Sequence, residues 1–249
     1  MEKEFEFKDS MLEKEVSLEK TASKYYANIP FHNFDHVKDT LKYAEGIMKE
    51  CEKTGIAINK EVVRKALLFH DAGYHENKRA KGFDTKEEYS VSINEYELKK
   101  EGYSPEFIKD VNMAIMATQK DGKFSTNEQK LARMSDISNM AGEYEKFLDC
   151  NLRLKNEIKY MSNKKFSWTE WKKATKDTME FYMSQDEAMA IINDRDEKGK
   201  TSFCNGIKQN MGRFLSENED VLQKAQEEFE KNFYSENNGS QVFTQKPAT

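Results

Sequence analysis

The sequence contains little proline, little cysteine and no long apolar run. The three cysteines are widely spaced and form no CxxC pair, which argues against a disulfide or zinc-thiolate framework and favours a reducing compartment. No stretch approaches the ~18 consecutive apolar residues of a membrane span. The N-terminus MEKEFEFKDS lacks the apolar segment of a secretory signal. These absences predict a cytoplasmic protein with no membrane partner.

An excess of positive charge is also missing. Lysine and arginine number 40 against 45 acidic residues, so the net charge is -5, whereas a module that binds long nucleic acid is normally basic. We therefore expect no long nucleic-acid partner, and association into a homo-oligomer stays open. Aromatic residues make up 12% of the chain, which is too many for a disordered polypeptide.

The composition that remains is typical of helices. Segments between the prolines are rich in Lys, Glu, Met and Leu, and none shows the alternation of a strand. The sequence predicts an all-α fold, with capping boxes that open helices at Thr85 and Thr126. The predicted helices are Ser10–Ala27, Asn33–Lys53, one from Asn59, one from Thr85, one from Ser104, Thr126–Asp136, Glu143–Met161, Trp168–Asn193 and two weaker ones that end near Phe233.

Four segments are expected along the chain. They are an N-terminal helical lead-in (1–19), a main domain (20–193), a C-terminal helical extension (200–234) and a disordered tail (235–249). The charged run Asp194–Lys200 separates the second segment from the third. A polar loop is expected at Gly73–Gly82, and its flanking glycines would allow it to act as a lid.

The histidines carry the strongest functional signal, because all four lie within residues 32–75. His32 and His36 are four positions apart and share one helix face. His70 is followed at once by Asp71 at the end of the apolar segment ALLFHD. Imidazole and carboxylate suit a divalent cation. Hydrogen-bonded core histidines are the alternative for His36 and His70, and for His75, in the charged segment YHENKR, a non-functional role is favoured.

The ordered set His36, His70-Asp71 and Asp136 resembles the HD superfamily of metal-dependent phosphohydrolases, all-helical proteins with the pattern H…HD…D. The resemblance is closest to an uncharacterised branch with YHNxxH, FHDxxY and NEExSA-like segments, and it covers about residues 20–160. It implies an HD-type helical bundle with a C-terminal extension. It also implies one divalent ion, of Mn, Fe, Co, Ni, Mg or Zn, held by His36, His70, Asp71 and Asp136. A second ion is not expected, because no histidine follows Thr118.

Three further residues are candidates for catalysis. Asp71 would contribute to catalysis as well as to metal binding. His32 faces the same side as His36 and would donate a proton to a leaving oxygen or bind phosphate, unless it only packs or caps near Pro30. Glu88 would orient water as a general base, unless it only completes the capping box at Thr85. Glu87 is the fallback for that role.

A phosphate substrate also needs positive charge near the open face of the site. The candidates are Lys78, Arg79, Lys120, Arg133 and Arg153, although an exposed surface charge is the commoner role for each one alone. Arg153 belongs to NLRLKNE, which resembles an Arg-x-x-x-Glu element of the family pattern.

The sequence therefore predicts a metal-dependent phosphohydrolase that acts on a nucleotide or similar small phosphorylated substrate. One alternative is a nucleotide or second-messenger binding module with a degenerate site that acts through protein partners. Another is an interaction protein in which residues 200–249 dock a partner.

Overall fold

The computed structural model describes residues 16–236, and this part of the chain contains helices and turns but no strand. The expected all-α fold is confirmed. The α-helices are α1 (16–22), α2 (Phe34–Thr54), α3 (Lys60–Phe69), α4 (Lys86–Lys100), α5 (Pro105–Met116), α6 (Asn127–Asp136), α7 (Tyr144–Ser162), α8 (Trp168–Met183), α9 (Asp186–Met189), α10 (Ser202–Ser216) and α11 (Glu219–Glu236). In the described range, none of these helices has the length and apolar character needed to span a bilayer.

Local capping explains where the site-bearing helices begin. The Asn33 side chain accepts hydrogen bonds from the backbone N–H groups of Asp35 and His36 and so starts α2. Thr85 and Glu88 form the predicted capping box at the start of α4. The Thr126 side chain accepts from the backbone N–H of Gln129 at the start of α6. Each cap satisfies N–H groups that the helix leaves without partners.

Two predicted helices were wrong in their boundaries. The first ends before Ala27, because α1 gives way to a 3-10 turn at Ser23–Tyr25 and then to extended backbone. The predicted Trp168–Asn193 helix divides into α8 and α9, with a break at Ser184. Long-range bonds fix the chain after the break, since the buried Asp186 carboxylate accepts from the Thr201 hydroxyl.

The predicted ends of the chain fall mostly outside the described residues. Positions 1–15 of the lead-in and 237–249 of the tail lie beyond them. The tail prediction was wrong at its start, because α11 continues through residues 235–236.

Two hydrophobic clusters share α6. Leu131 and Ala132 belong to the first cluster, which α1 to α5 complete, while Met134 belongs to the second, which α7 to α11 complete. Burial of a large apolar side chain contributes roughly 1.5–3 kcal/mol, so both clusters hold α6 in place. Asp136, the last residue of α6, is thereby fixed close to where the two clusters meet.

Candidate metal centre

Four predicted ligands come together from three helix ends, and we call them the metal centre: His36, His70, Asp71 and Asp136. His36 lies in the first turn of α2, and Asp136 ends α6. His70 caps the C-terminus of α3, and Asp71 follows it in the turn. Because all four residues lie at or next to helix ends, side chains from α2, α3 and α6 can meet at one point without the helices crossing through it.

The ligand atoms are spaced as one ion requires. Nε2 of His36 lies 3.2 Å from Oδ1 of Asp136 and 3.4 Å from Nε2 of His70. Nε2 of His70 lies 3.1 Å from Oδ2 of Asp71 and 3.3 Å from Oδ1 of Asp136. All four ligand atoms lie within 4.8 Å of one another. An octahedral ion with bonds of about 2.1 Å places neighbouring ligands roughly 3.0 Å apart and opposite ones roughly 4.2 Å apart.

Two further features fit a divalent ion. The Nδ1–H of His70 donates to the Leu67 carbonyl oxygen at 2.7 Å, which turns Nε2 toward the cluster and fixes the tautomer that metal binding needs. The Asp71 side chain is fully buried, and its Oδ2 accepts no hydrogen bond from any described residue. A buried carboxylate oxygen without a donor is costly, so this point favours a positive charge, either a divalent ion or a proton on Nε2 of His70, which lies 3.1 Å away.

The charges of the cluster perturb one another. Burial alone would lower the pKa of His70, but the carboxylates of Asp71 and Asp136 outweigh it and raise that pKa to about 10. Burial raises the pKa of Asp136, and the imidazoles of His36 and His70 reverse this effect and hold it well below its usual range. A cation that binds these atoms would therefore compete with a proton.

Lys86 completes the charge balance, and sequence reasoning missed it. Its Nζ donates to Oδ1 of Asp71 at 2.5 Å and lies 3.7 Å from Oε1 of Glu87. The ammonium also lies 5.3 Å from the centre of the Tyr74 ring. Burial disfavours the charged form, but the carboxylates of Asp71, Asp136 and Glu87 hold the pKa of Lys86 well above its usual value. A lysine in the first turn of α4 opposes the helix dipole, and that misfit was the available signal.

His32 lies beside the metal centre, but the prediction that it shares a helix face with His36 was wrong, because Asn33 is the N-cap of α2 and His32 lies in the bend before it. Its ring stacks on Tyr74, with centroids 3.7 Å apart, and its centroid is 6.1 Å from that of His36. Nδ1 of His32 pairs with Oε1 of Glu157 on α7. Oε2 of Glu157 accepts from the backbone N–H groups of Phe31 at 2.8 Å and His32 at 2.9 Å. The buried Glu157 carboxylate thus holds both the backbone and the ring of His32.

In the sequence, Glu157 stood out only as the last residue of the Arg-x-x-x-Glu element that begins at Arg153. Burial raises the pKa of the Glu157 carboxyl, but the adjacent His32 reverses the effect and lowers it below its usual range. The carboxylate therefore stays ionised against His32. The partnership joins positions 125 residues apart, which a single sequence does not reveal.

Glu88 takes the capping role rather than a place at the metal centre. Its carboxylate accepts from the backbone N–H groups of Asp84 at 3.0 Å and Thr85 at 3.1 Å. The capping alternative for Glu88 is therefore present in the structure, and its general-base role stays a prediction. Glu87, the fallback, is buried and lies beside Lys86.

The assignment of Arg133 to substrate binding needs correction. Arg133 is fully buried, and its guanidinium donates to the carbonyl oxygens of Ala117 at 2.8 Å, Gln119 at 2.5 Å and Lys120, and to Gln185 at 3.0 Å. Because these bonds occupy four of the five N–H donors of arginine, Arg133 fastens the turn after α5. We call Arg133 with these four acceptors the Arg133 clamp.

The other predicted substrate residues make no contact with the metal centre. Lys78 and Arg79 lie in the loop between α3 and α4 and form no ion pair with any described residue. Lys120 lies 5.2 Å from the centre of the Phe181 ring. Arg153 pairs with Asp149 at 2.7 Å and contacts the Pro30 carbonyl oxygen at 3.4 Å. Their substrate-binding role stays a prediction, as does the lid role of the loop, where His75 is exposed.

Comparison with known proteins adds no identification. No family model, no curated protein and no solved structure matches this chain. The candidate function therefore rests on the geometry of the metal centre and its neighbours.

Proposed function

We propose that this protein is a metal-dependent phosphohydrolase of the HD type, acting on a nucleotide or similar small phosphorylated substrate. One observation carries the proposal. Two imidazoles and two carboxylates converge from three helix ends within 4.8 Å, and the buried Oδ2 of Asp71 lacks a hydrogen bond from the described residues. This donor set suits one divalent ion and leaves open positions for water and a phosphate oxygen.

The ion would supply Lewis acidity and lower the pKa of a bound water molecule toward neutral pH. The protein supplies the rest. His36, His70, Asp71 and Asp136 would hold the ion, and the Leu67 carbonyl oxygen orients the His70 ring so that its Nε2 faces the other three side chains. The Lys86 side chain is 25% exposed, so its remaining N–H donors can bind a phosphate oxygen of the substrate.

His32 is the candidate proton donor. Glu157 accepts from Nδ1 of His32, so Nε2 is the ring atom left to face a substrate. When water attacks phosphorus and the bond to the leaving oxygen breaks, Nε2–H gives its proton to that oxygen. One proton of the attacking water stays on the product phosphate, and the other returns to solvent, from which His32 is protonated again. The Glu157 carboxylate stabilises the charged imidazole before transfer.

The test is a phosphate-release screen of the purified chain with Mn²⁺, Mg²⁺, Co²⁺, Ni²⁺, Fe²⁺ or Zn²⁺ on nucleotides, sugar phosphates and p-nitrophenyl phosphate. We expect metal-dependent turnover that Asp71→Ala removes and Asp177→Asn keeps, because Asp177 pairs with Lys173 on the exposed face of α8. A protein that binds the ion but hydrolyses nothing would overturn the proposal. Tight nucleotide binding without turnover would then favour the binding-module alternative.

A further inference from the structure

The two carboxylate oxygens of Asp71 face two different cationic positions. Oδ2 points into the metal centre, 3.1 Å from Nε2 of His70 and 3.7 Å from Nε2 of His36. Oδ1 accepts from the ammonium of Lys86 at 2.5 Å. Since the Asp71 side chain is fully buried, neither oxygen has bulk water as a substitute partner.

The surroundings of the Lys86 ammonium are those of a second cation position. Oδ1 of Asp71 lies 2.5 Å away and Oε1 of Glu87, which is also buried, lies 3.7 Å away. One or two carboxylates with water ligands are the usual protein donors for Mg²⁺. The face of the Tyr74 ring, 5.3 Å from Nζ, also favours a cation here.

We propose that the ammonium of Lys86 fills this second cation position, so that the site takes one divalent ion and obtains its second positive charge from the protein itself. The inference rests on the proposed function and deepens it. Many phosphoryl-transfer sites clamp the substrate between two metal ions roughly 3.5–4 Å apart. Lysine provides a compact charge with three N–H donors, which stabilises a phosphate oxygen without a second ion.

Metal stoichiometry tests this inference without an activity assay. Wild type, Lys86→Met and Lys86→Arg are saturated with Mn²⁺ and analysed by isothermal titration calorimetry, elemental analysis and electron paramagnetic resonance. Lys99→Met is the matched control, because Lys99 lies on the same helix and pairs with Glu95 at the surface. Circular dichroism checks that each variant folds, and Lys86→Gln replaces Lys86→Met if the latter does not.

We expect one Mn²⁺ per chain in wild type, Lys86→Arg and Lys99→Met, and two in Lys86→Met, with the second bound at least tenfold more weakly. Two ions that share Asp71 also broaden the resonance signal of an isolated ion. One ion of unchanged affinity in Lys86→Met and Lys86→Gln would overturn the inference and leave the proposed function standing. No ion in wild type would overturn the proposed function itself.

Discussion

The Arg133 clamp and the metal centre meet on α6, where Arg133 and Asp136 lie one turn apart, but the structure satisfies their charges differently. Arg133 directs four hydrogen bonds into the protein, three of them to backbone carbonyls. In the metal centre, two carboxylates face two imidazoles, and Oδ2 of Asp71 accepts no hydrogen bond from the described residues. The clamp is complete without a ligand, whereas the metal centre is not.

This is the difference expected between a buried charge that stabilises the fold and a buried charge that binds a ligand. A buried polar group normally finds its partner inside the fold, and one that does not marks a place where the fold bears a cost. The type of residue alone does not decide between the two roles, because α6 contributes one charged side chain to each region: Arg133 to the clamp and Asp136 to the metal centre. At Asp71 the missing hydrogen bond coincides with three further side chains of the metal-ligand type, and this combination distinguishes the metal centre from the clamp.

The largest expected effect comes from removing the unsatisfied carboxylate. Asp71→Ala should reduce Mn²⁺ affinity more than ~100-fold, because even outer-shell partners of metal ligands contribute about 10–100-fold. Calorimetric titration measures this, with Asp177→Asn as the matched control on an exposed carboxylate. Affinity within tenfold of wild type would place the ion elsewhere.

Breaking the clamp should affect stability rather than metal binding. Arg133→Met leaves three backbone carbonyl oxygens without their donor, and at ~1–3 kcal/mol for each unsatisfied buried group we expect a loss of at least about 3 kcal/mol in the free energy of unfolding. Urea unfolding followed by circular dichroism measures it, with exposed Arg79→Met as control. Unchanged stability together with lost activity would return Arg133 to substrate binding.

The Glu157–His32 pair lies between the two extremes, since its contacts are internal but no described residue hydrogen-bonds Nε2 of His32. Glu157→Gln should lower hydrolysis about 10–100-fold, because a positioned acid contributes roughly 10²–10⁴-fold and the amide keeps part of the contact. Metal affinity should not change, since Glu157 contacts no ligand. Glu145→Gln, an exposed substitution on the same helix, is the control. Full activity in Glu157→Gln would remove His32 from the mechanism.

The pH dependence of metal binding also follows from the metal centre. The pKa of His70 in the ion-free protein is about 10, so near neutral pH the ion must displace a proton from this ring. Affinity should therefore rise about tenfold per pH unit between pH 6.5 and 8.5. Titrations in two buffers of different ionisation enthalpy count the released protons. A metal affinity that does not change between pH 6.5 and 8.5 would contradict the competition between the ion and the proton on His70.

The smallest effect is expected where a carboxylate has only local partners. Glu88→Ala removes one half of the capping box at Thr85 and should cost about 0.5 kcal/mol in the free energy of unfolding, with hydrolysis unchanged within twofold. Thermal unfolding and phosphate release measure the two quantities. A large loss of hydrolysis in a folded Glu88→Ala variant would restore Glu88 as the general base.

Features that depend on neighbouring residues could be predicted from the sequence. The caps at Thr85 and Thr126 predicted the starts of α4 and α6, and the residue types and order of His36, His70-Asp71 and Asp136 predicted the four side chains that the structure brings together. The roles of Lys86 and Glu157 depend on how α4 and α7 pack against distant loops, so no local pattern reveals them. Arg133 was assigned wrongly because its partners are mostly backbone carbonyls, which leave no trace in a sequence.

Anomalous diffraction from crystals of the Mn²⁺-saturated protein tests the metal centre most directly. We predict one peak per chain, within about 2.0–2.3 Å of Nε2 of His36, Nε2 of His70, Oδ2 of Asp71 and Oδ1 of Asp136. If crystals saturated with Mn²⁺ show no anomalous peak among these four atoms, or show the peak at another place in the protein, that result contradicts the account.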